Sequence, residues 1–148
     1  MRPSRTLLAW MAVAVGAAAL LASCSDAIAK PQVSDAWARP GAASAESAAY
    51  LTITAEVNQG DALLSASSPA ARMVELHEVS TDAEGMTGMY HIDRLDIQAG
   101  QTVRLEPGGY HLMLMGLTGE LEVGETLELT LVFERAGSVV VQAEIRQG

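Results

Sequence analysis

The sequence predicts an all-β fold, an antiparallel Greek-key sandwich or barrel. Two observations carry that expectation. Short runs of alternating apolar and polar residues recur along most of the chain, and Gly, Pro, Asn and Asp stand between them. Beyond the amino-terminal segment, no stretch keeps a helical period over ten or more residues. The 148-residue length fits one domain behind a targeting segment.

The first element is a secretory signal, residues 1–23. Arg2 and Arg5 precede an apolar run from Leu7 to Leu21, and small residues close it. The run is too short for a confident membrane span. The only cysteine ends it, in Leu21-Ala22-Ser23-Cys24, which resembles a bacterial lipobox whose thiol is acylated to anchor the protein in the membrane. The alternative is cleavage after the A-x-A pattern Ala27-Ile28-Ala29, leaving a soluble periplasmic protein. Either way the chain is exported to the cell envelope. Residues 24–35 are small and polar and read as a tether, and the domain is expected at 36–148.

Residues 24–148 carry seven basic and eighteen acidic side chains. Such a surface repels phosphate backbones and anionic lipid, which excludes nucleic acid as a partner. With one cysteine the chain forms no internal disulfide, so the fold must stand on its apolar core, and a domain of this size can bury enough surface.

The expected strands follow in order. Ala49–Thr54 and Met73–Val79 alternate; Thr102–Leu105 and Tyr110–Met115 come next; Thr126–Phe133 and Ser138–Ile145 complete the set. Turns are marked at Asn58–Asp61, Ala99-Gly100, Glu106–Gly109 and Arg135–Gly137. In Glu106-Pro107-Gly108-Gly109, Pro107 presets φ at the second position and Gly108 accepts the positive φ that a type II turn requires at the third. Residues 81–88 read as the polar tip of a hairpin.

Soft metal ligands are concentrated in one stretch. His77, His91 and His111, with Met73, Met86, Met89, Met113 and Met115, all fall between residues 73 and 115. A methionine taken singly reads as core filler, and a lone strand histidine as structural. The pair His111 and Met113 is sharper. Strand side chains alternate, so the two share a face with attachment points ~7 Å apart, within reach of one ion. On the neighbouring run His77 shares a face with Met73 and Glu75, and an inward Val74 and Leu76 would leave that face accessible. Imidazole and thioether donors favour Cu(I) over zinc, magnesium or calcium. Without a thiolate in the domain, a blue-copper electron carrier is excluded.

These residues resemble the PCuAC group of bacterial copper chaperones, whose signature is His (or Met), ten residues, Met, twenty-one residues, His, one residue, Met. Here His77, Met89, His111 and Met113 follow that order, with eleven residues in the first gap and twenty-one in the second. The extra residue falls at the 81–88 tip, where a loop absorbs it cheaply. Met86 is the alternative middle ligand; Met89 keeps the twenty-one-residue gap. Asp35-Ala36-Trp37-Ala38-Arg39 and the block Glu106–Leu117 are also similar to the family, and coverage runs from about residue 31 to 146.

The resemblance implies a cupredoxin-like fold and an extracytoplasmic chaperone. That chaperone would bind one Cu(I) per domain and deliver it, for the CuA centre of cytochrome c oxidase, to an oxidase subunit or another copper chaperone. Some members add a His- and Met-rich tail; this sequence closes with Glu144–Gly148, so one site is expected. His91 matches no signature position and reads as structural or peripheral; Trp37 reads as core. The other functional readings are an envelope copper buffer without specific delivery and a metal-free structural lipoprotein. An enzyme is not expected, since no Gly-x-Ser-x-Gly run appears and the one thiol lies at the predicted acylation point.

Overall fold

The computed structural model describes residues 28–148 and contains ten strands. They are β1 (Gln32–Ala38), β2 (Ser47–Thr54), β3 (Asp61–Ser67), β4 (Ala71–Thr81), β5 (Thr87–His91), β6 (Leu95–Ile97), β7 (Thr102–Leu105), β8 (His111–Leu117), β9 (Thr126–Phe133) and β10 (Gly137–Ile145). The proposed signal and Cys24 lie outside the described residues.

Seven strands close a barrel in the order β4-β8-β2-β1-β10-β9-β3, and the Ala66–Val74 pairing returns β3 to β4. Strands β5 and β6 extend the ring from β4 and β3, and β7 shares with β8 the remaining edge of β2. Six of the ring's seven pairings are antiparallel; β1 and β10 run parallel, with Trp37 opposite Glu144 and Ala38 opposite Ile145. The antiparallel all-β barrel expected from the sequence is present, and an odd number of strands cannot alternate direction all the way round. One parallel seam is therefore a necessity of closure.

Period-two patterning builds the core. On β9, Leu127, Leu129, Leu131 and Phe133 are buried, while Thr126 and Glu128 face solvent. On β8, Leu112 and Leu114 are fully buried, and Met113 and Met115 take the opposite face. Leu51, Ile53, Leu63 and Ile145 fill the interior from the other walls.

The tether is shorter than expected, because β1 takes in Gln32–Asp35 and pairs Gln32 with Thr54 and Val33 with Ile53. Its polar residues face water, and Val33 and Ala36 pack on the core. A bulge between Ser34 and Trp37 interrupts this pairing, with Asp35 at φ 52°. Trp37 is half-buried rather than core: it lies on Tyr50, with ring centroids 4.5 Å apart, and the Arg146 guanidinium covers it. The turn at 106–109 has the expected chemistry, since Gly108 has φ 85° and the Gly109 N–H donates to Glu106 O at 3.0 Å.

Candidate metal centre

The register of three strands brings the histidines together. His77 on β4 lies opposite His91 on β5 and opposite His111 on β8. Paired residues project on one face, so three imidazoles form a row across the sheet. The His77 ring is 5.6 Å from that of His111 and 6.0 Å from that of His91, both edge-on. Glu75 stands opposite Met113, Met73 opposite Met115, and Val79 opposite Met89.

The surroundings fix which ring nitrogen is free. The Nδ1 atom of His111 lies 3.1 Å from Gly109 O. A carbonyl only accepts, so Nδ1 carries the proton and Nε2 keeps its lone pair. Gly109 O also accepts the Val79 N–H at 3.2 Å, so the β4 backbone holds the group that orients the His111 ring. In His77 the roles reverse: Nε2 donates to Glu75 Oε2 at 2.9 Å, and Nδ1 is buried with no hydrogen-bond partner. Leaving such an acceptor unmatched costs about 1–3 kcal/mol.

Met89, His111 and Met113 line one shallow cleft, together with Tyr50, Val79 and Gly108. His111 forms its buried wall; Met113 is half-buried, and Met89 is 60% exposed at the rim. His77 faces His111 across the β4–β8 ladder and does not line the cleft. The Tyr50 ring, stacked on Trp37, backs His111 at 6.5 Å. Met86 sits apart in the β4–β5 tip, where its N–H donates to Asp82 Oδ1 at 2.8 Å and its side chain is 69% exposed. The residues that the sequence puts forward thus divide: Met89, His111 and Met113 share the cleft, His77 faces His111 across the β4–β8 ladder, and Met86 lies outside the cleft.

Sequence reasoning passed over His91, which occupies the ladder position facing His77. Among the described residues, Glu75, His77 and His91 offer ligand atoms within 4.8 Å of one another. The hairpin itself held the signal. A tip centred in residues 81–88 folds His91 back onto the level of His77.

Residues 31–145 match the family described as "Putative lipoprotein LpqE-like". The chain belongs to this LpqE-like family. A relative, "Putative lipoprotein Lxx21020" of Leifsonia xyli subsp. xyli (strain CTCB07), is 34% identical over 115 residues, which are 78% of this chain and 69% of the relative. The fold of this LpqE-like chain is cupredoxin-like and of the PCuAC type, and two solved structures are similar to it. The copper-bound PCuAC domain from PmoF2 superposes with a TM-score of 0.67 at 26% identity, covering 82% of this chain and 97% of that one. The solution structure of Cu(I)-DR1885 from Deinococcus radiodurans gives a TM-score of 0.62 at 34% identity, covering 86% of each chain.

Proposed function

We propose that this LpqE-like protein is an exported copper carrier. It holds one Cu(I) ion through His77, Met89, His111 and Met113 and passes it on for assembly of the CuA centre of cytochrome c oxidase. The observation that supports this most is the pair of facing imidazoles. Each has one nitrogen held by an acceptor and the other left with a free lone pair, and on His77 that lone pair is buried and unmatched. Holding one ring nitrogen through an acceptor is how proteins orient metal-binding histidines.

An ion ~2.0 Å from each nitrogen stands ~3.2 Å from each ring centroid, so rings 5.6 Å apart would meet it at about 120°. Thioether donors then select the cuprous ion. The copper-bound PmoF2 domain and Cu(I)-loaded DR1885 support copper as the cargo. The lipoprotein names of the family and the relative support an envelope location, with acylated Cys24 as the proposed anchor.

Met89 gives the exchange route. It sits at the exposed rim, where a thiolate of a receiving protein can replace it first and draw the ion outward. Met89→Ala is expected to lower Cu(I) affinity about tenfold, at the lower end of losses seen around metal sites, while Met86→Ala leaves it unchanged. Competition against a Cu(I) chelator reads both. A loss from Met86→Ala with none from Met89→Ala would return the middle ligand to Met86.

Delivery is tested in cells. Deleting the gene at limiting copper is expected to lower assembled oxidase, with rescue by added copper. Normal assembly under those conditions would leave the copper-buffer reading in place of delivery.

A further inference from the structure

We propose that Glu75, His77 and His91 form a second metal site, on the side of the His77 ring away from its buried Nδ1. This site takes a divalent ion that prefers nitrogen and oxygen donors, above all Cu(II), and its occupancy competes with Cu(I) for the His77 imidazole. The competition rests on the Cu(I) reading above; the outer site rests only on its own three residues and Asp93.

Two of the three donor pairs are already spaced for an ion, and all three ligand atoms lie within 4.8 Å of one another. A metal with bonds of ~2.0 Å holds its ligands ~2.8 Å apart when adjacent and ~4.0 Å apart when opposed. Glu75 Oε2 lies 2.9 Å from His77 Nε2 and 3.8 Å from His91 Nδ1, within that range.

The far side of His91 is also in place. Its Nε2 lies 2.9 Å from Asp93 Oδ1, so the carboxylate holds that nitrogen and leaves Nδ1 on the side of Glu75. Nδ1 is 3.8 Å from Glu75 Oε2, beyond a hydrogen bond and within the span that one bound cation bridges. The arrangement of carboxylate, imidazole and metal is the one by which outer acceptors orient histidine ligands.

Donor chemistry names the ion. Two imidazole nitrogens and a carboxylate oxygen, with no sulfur, suit Cu(II) and Zn(II), and Cu(II) binds such sets more tightly. They suit Cu(I) less well than the thioether-rich cleft. The site is open: His91 is 51% exposed and Glu75 28% exposed, so water can complete the coordination.

His77 joins the two sites because a neutral imidazole has one N–H and one lone pair. With its proton on Nε2, held by Glu75, it offers Nδ1 inward. A divalent ion on Nε2 moves the proton to Nδ1 and withdraws that lone pair from Cu(I). The coupling is reciprocal, so filling the inner site weakens the outer one by the same factor.

The test adds Cu(II) to the metal-free protein at neutral pH and follows electron paramagnetic resonance. One equivalent is expected to give a tetragonal signal with coupling to two nitrogens. His91→Ala should weaken that binding at least tenfold while keeping one Cu(I) per protein in the chelator competition; Glu75→Gln should weaken Cu(II) binding as much, and loosens the hold on His77 as well. Cu(II) binding that is absent, or unchanged in both variants, overturns the outer site. The double change His111→Ala with Met113→Ala should keep the Cu(II) signal; losing Cu(I) there sustains the carrier reading independently. For competition, Ag(I) serves as a redox-inert substitute for Cu(I). Protein loaded with Ag(I) should bind Cu(II) at least tenfold more weakly than metal-free protein, and equal affinity would overturn the sharing of His77.

Discussion

His111→Ala together with Met113→Ala is expected to lower Cu(I) affinity by at least ~100-fold, about 2.7 kcal/mol, leaving a folded protein that no longer competes with a chelator. His111 is the most buried of the candidate ligands, and two neighbours fix its ring: Gly109 O holds Nδ1, and Tyr50 backs it. Its free nitrogen is thus pre-oriented, and binding pays little to order it. Met113 shares the face two residues on and supplies the soft donor that favours the cuprous state. Removing both leaves His77 and an exposed Met89, a pair that holds no fixed geometry. A chelator titration reads the affinity, and thermal unfolding of the metal-free variant separates lost binding from lost fold. Wild-type affinity in a folded double variant would end the Cu(I) reading.

The parts of the fold that were legible are those whose residues alternate strongly. Leu127, Leu129, Leu131 and Phe133 announce β9, and Leu112 and Leu114 announce β8, because each has an apolar inner face and a polar or sulfur-bearing outer one. Strand β3 was not legible: Asp-Ala-Leu-Leu-Ser-Ala-Ser has no β-branched residue, and its adjacent leucines break the period. It is a strand because β9 and β6 flank it and pair with its backbone. Strand β6 has three residues, too few for a pattern, and β1 hides its inward Val33 and Ala36 among polar neighbours.

The site was legible in one dimension. The order His77, Met89, His111, Met113 could be read along the chain, but the exchange of roles between ring nitrogens could not, since it depends on the rotamer that turns each ring toward an acceptor two residues away, Gly109 O or Glu75 Oε2. His91 was missed for a different reason. It was judged by its place along the chain, whereas its neighbours are set by the hairpin that folds it onto His77.

Asp61→Ala is expected to cost about 3 kcal/mol of a total stability near 5–15 kcal/mol. Asp61 opens β3 and is buried, and its carboxylate gathers three backbone N–H groups. Oδ1 accepts from Ala62 at 2.8 Å and Arg135 at 2.9 Å, and Oδ2 accepts from Ala136 at 2.9 Å. The last two belong to the β9–β10 turn, so one side chain ties the start of β3 to the far end of the barrel wall. A hydrogen bond to a charged group contributes about 1.5–3 kcal/mol, and part of the threefold sum is offset by desolvating the carboxylate. Truncation leaves three donors without their acceptor. Asp61→Asn sharpens the expectation: its amide oxygen can still take the two N–H groups at the Oδ1 position, but its NH₂ would confront the Ala136 N–H. The loss should then fall between wild type and Asp61→Ala, about 1–2 kcal/mol. Urea unfolding reads both, with a lower midpoint and an unchanged slope. A wild-type midpoint for Asp61→Asn would mean that the side chain acts through its volume and not through these three bonds.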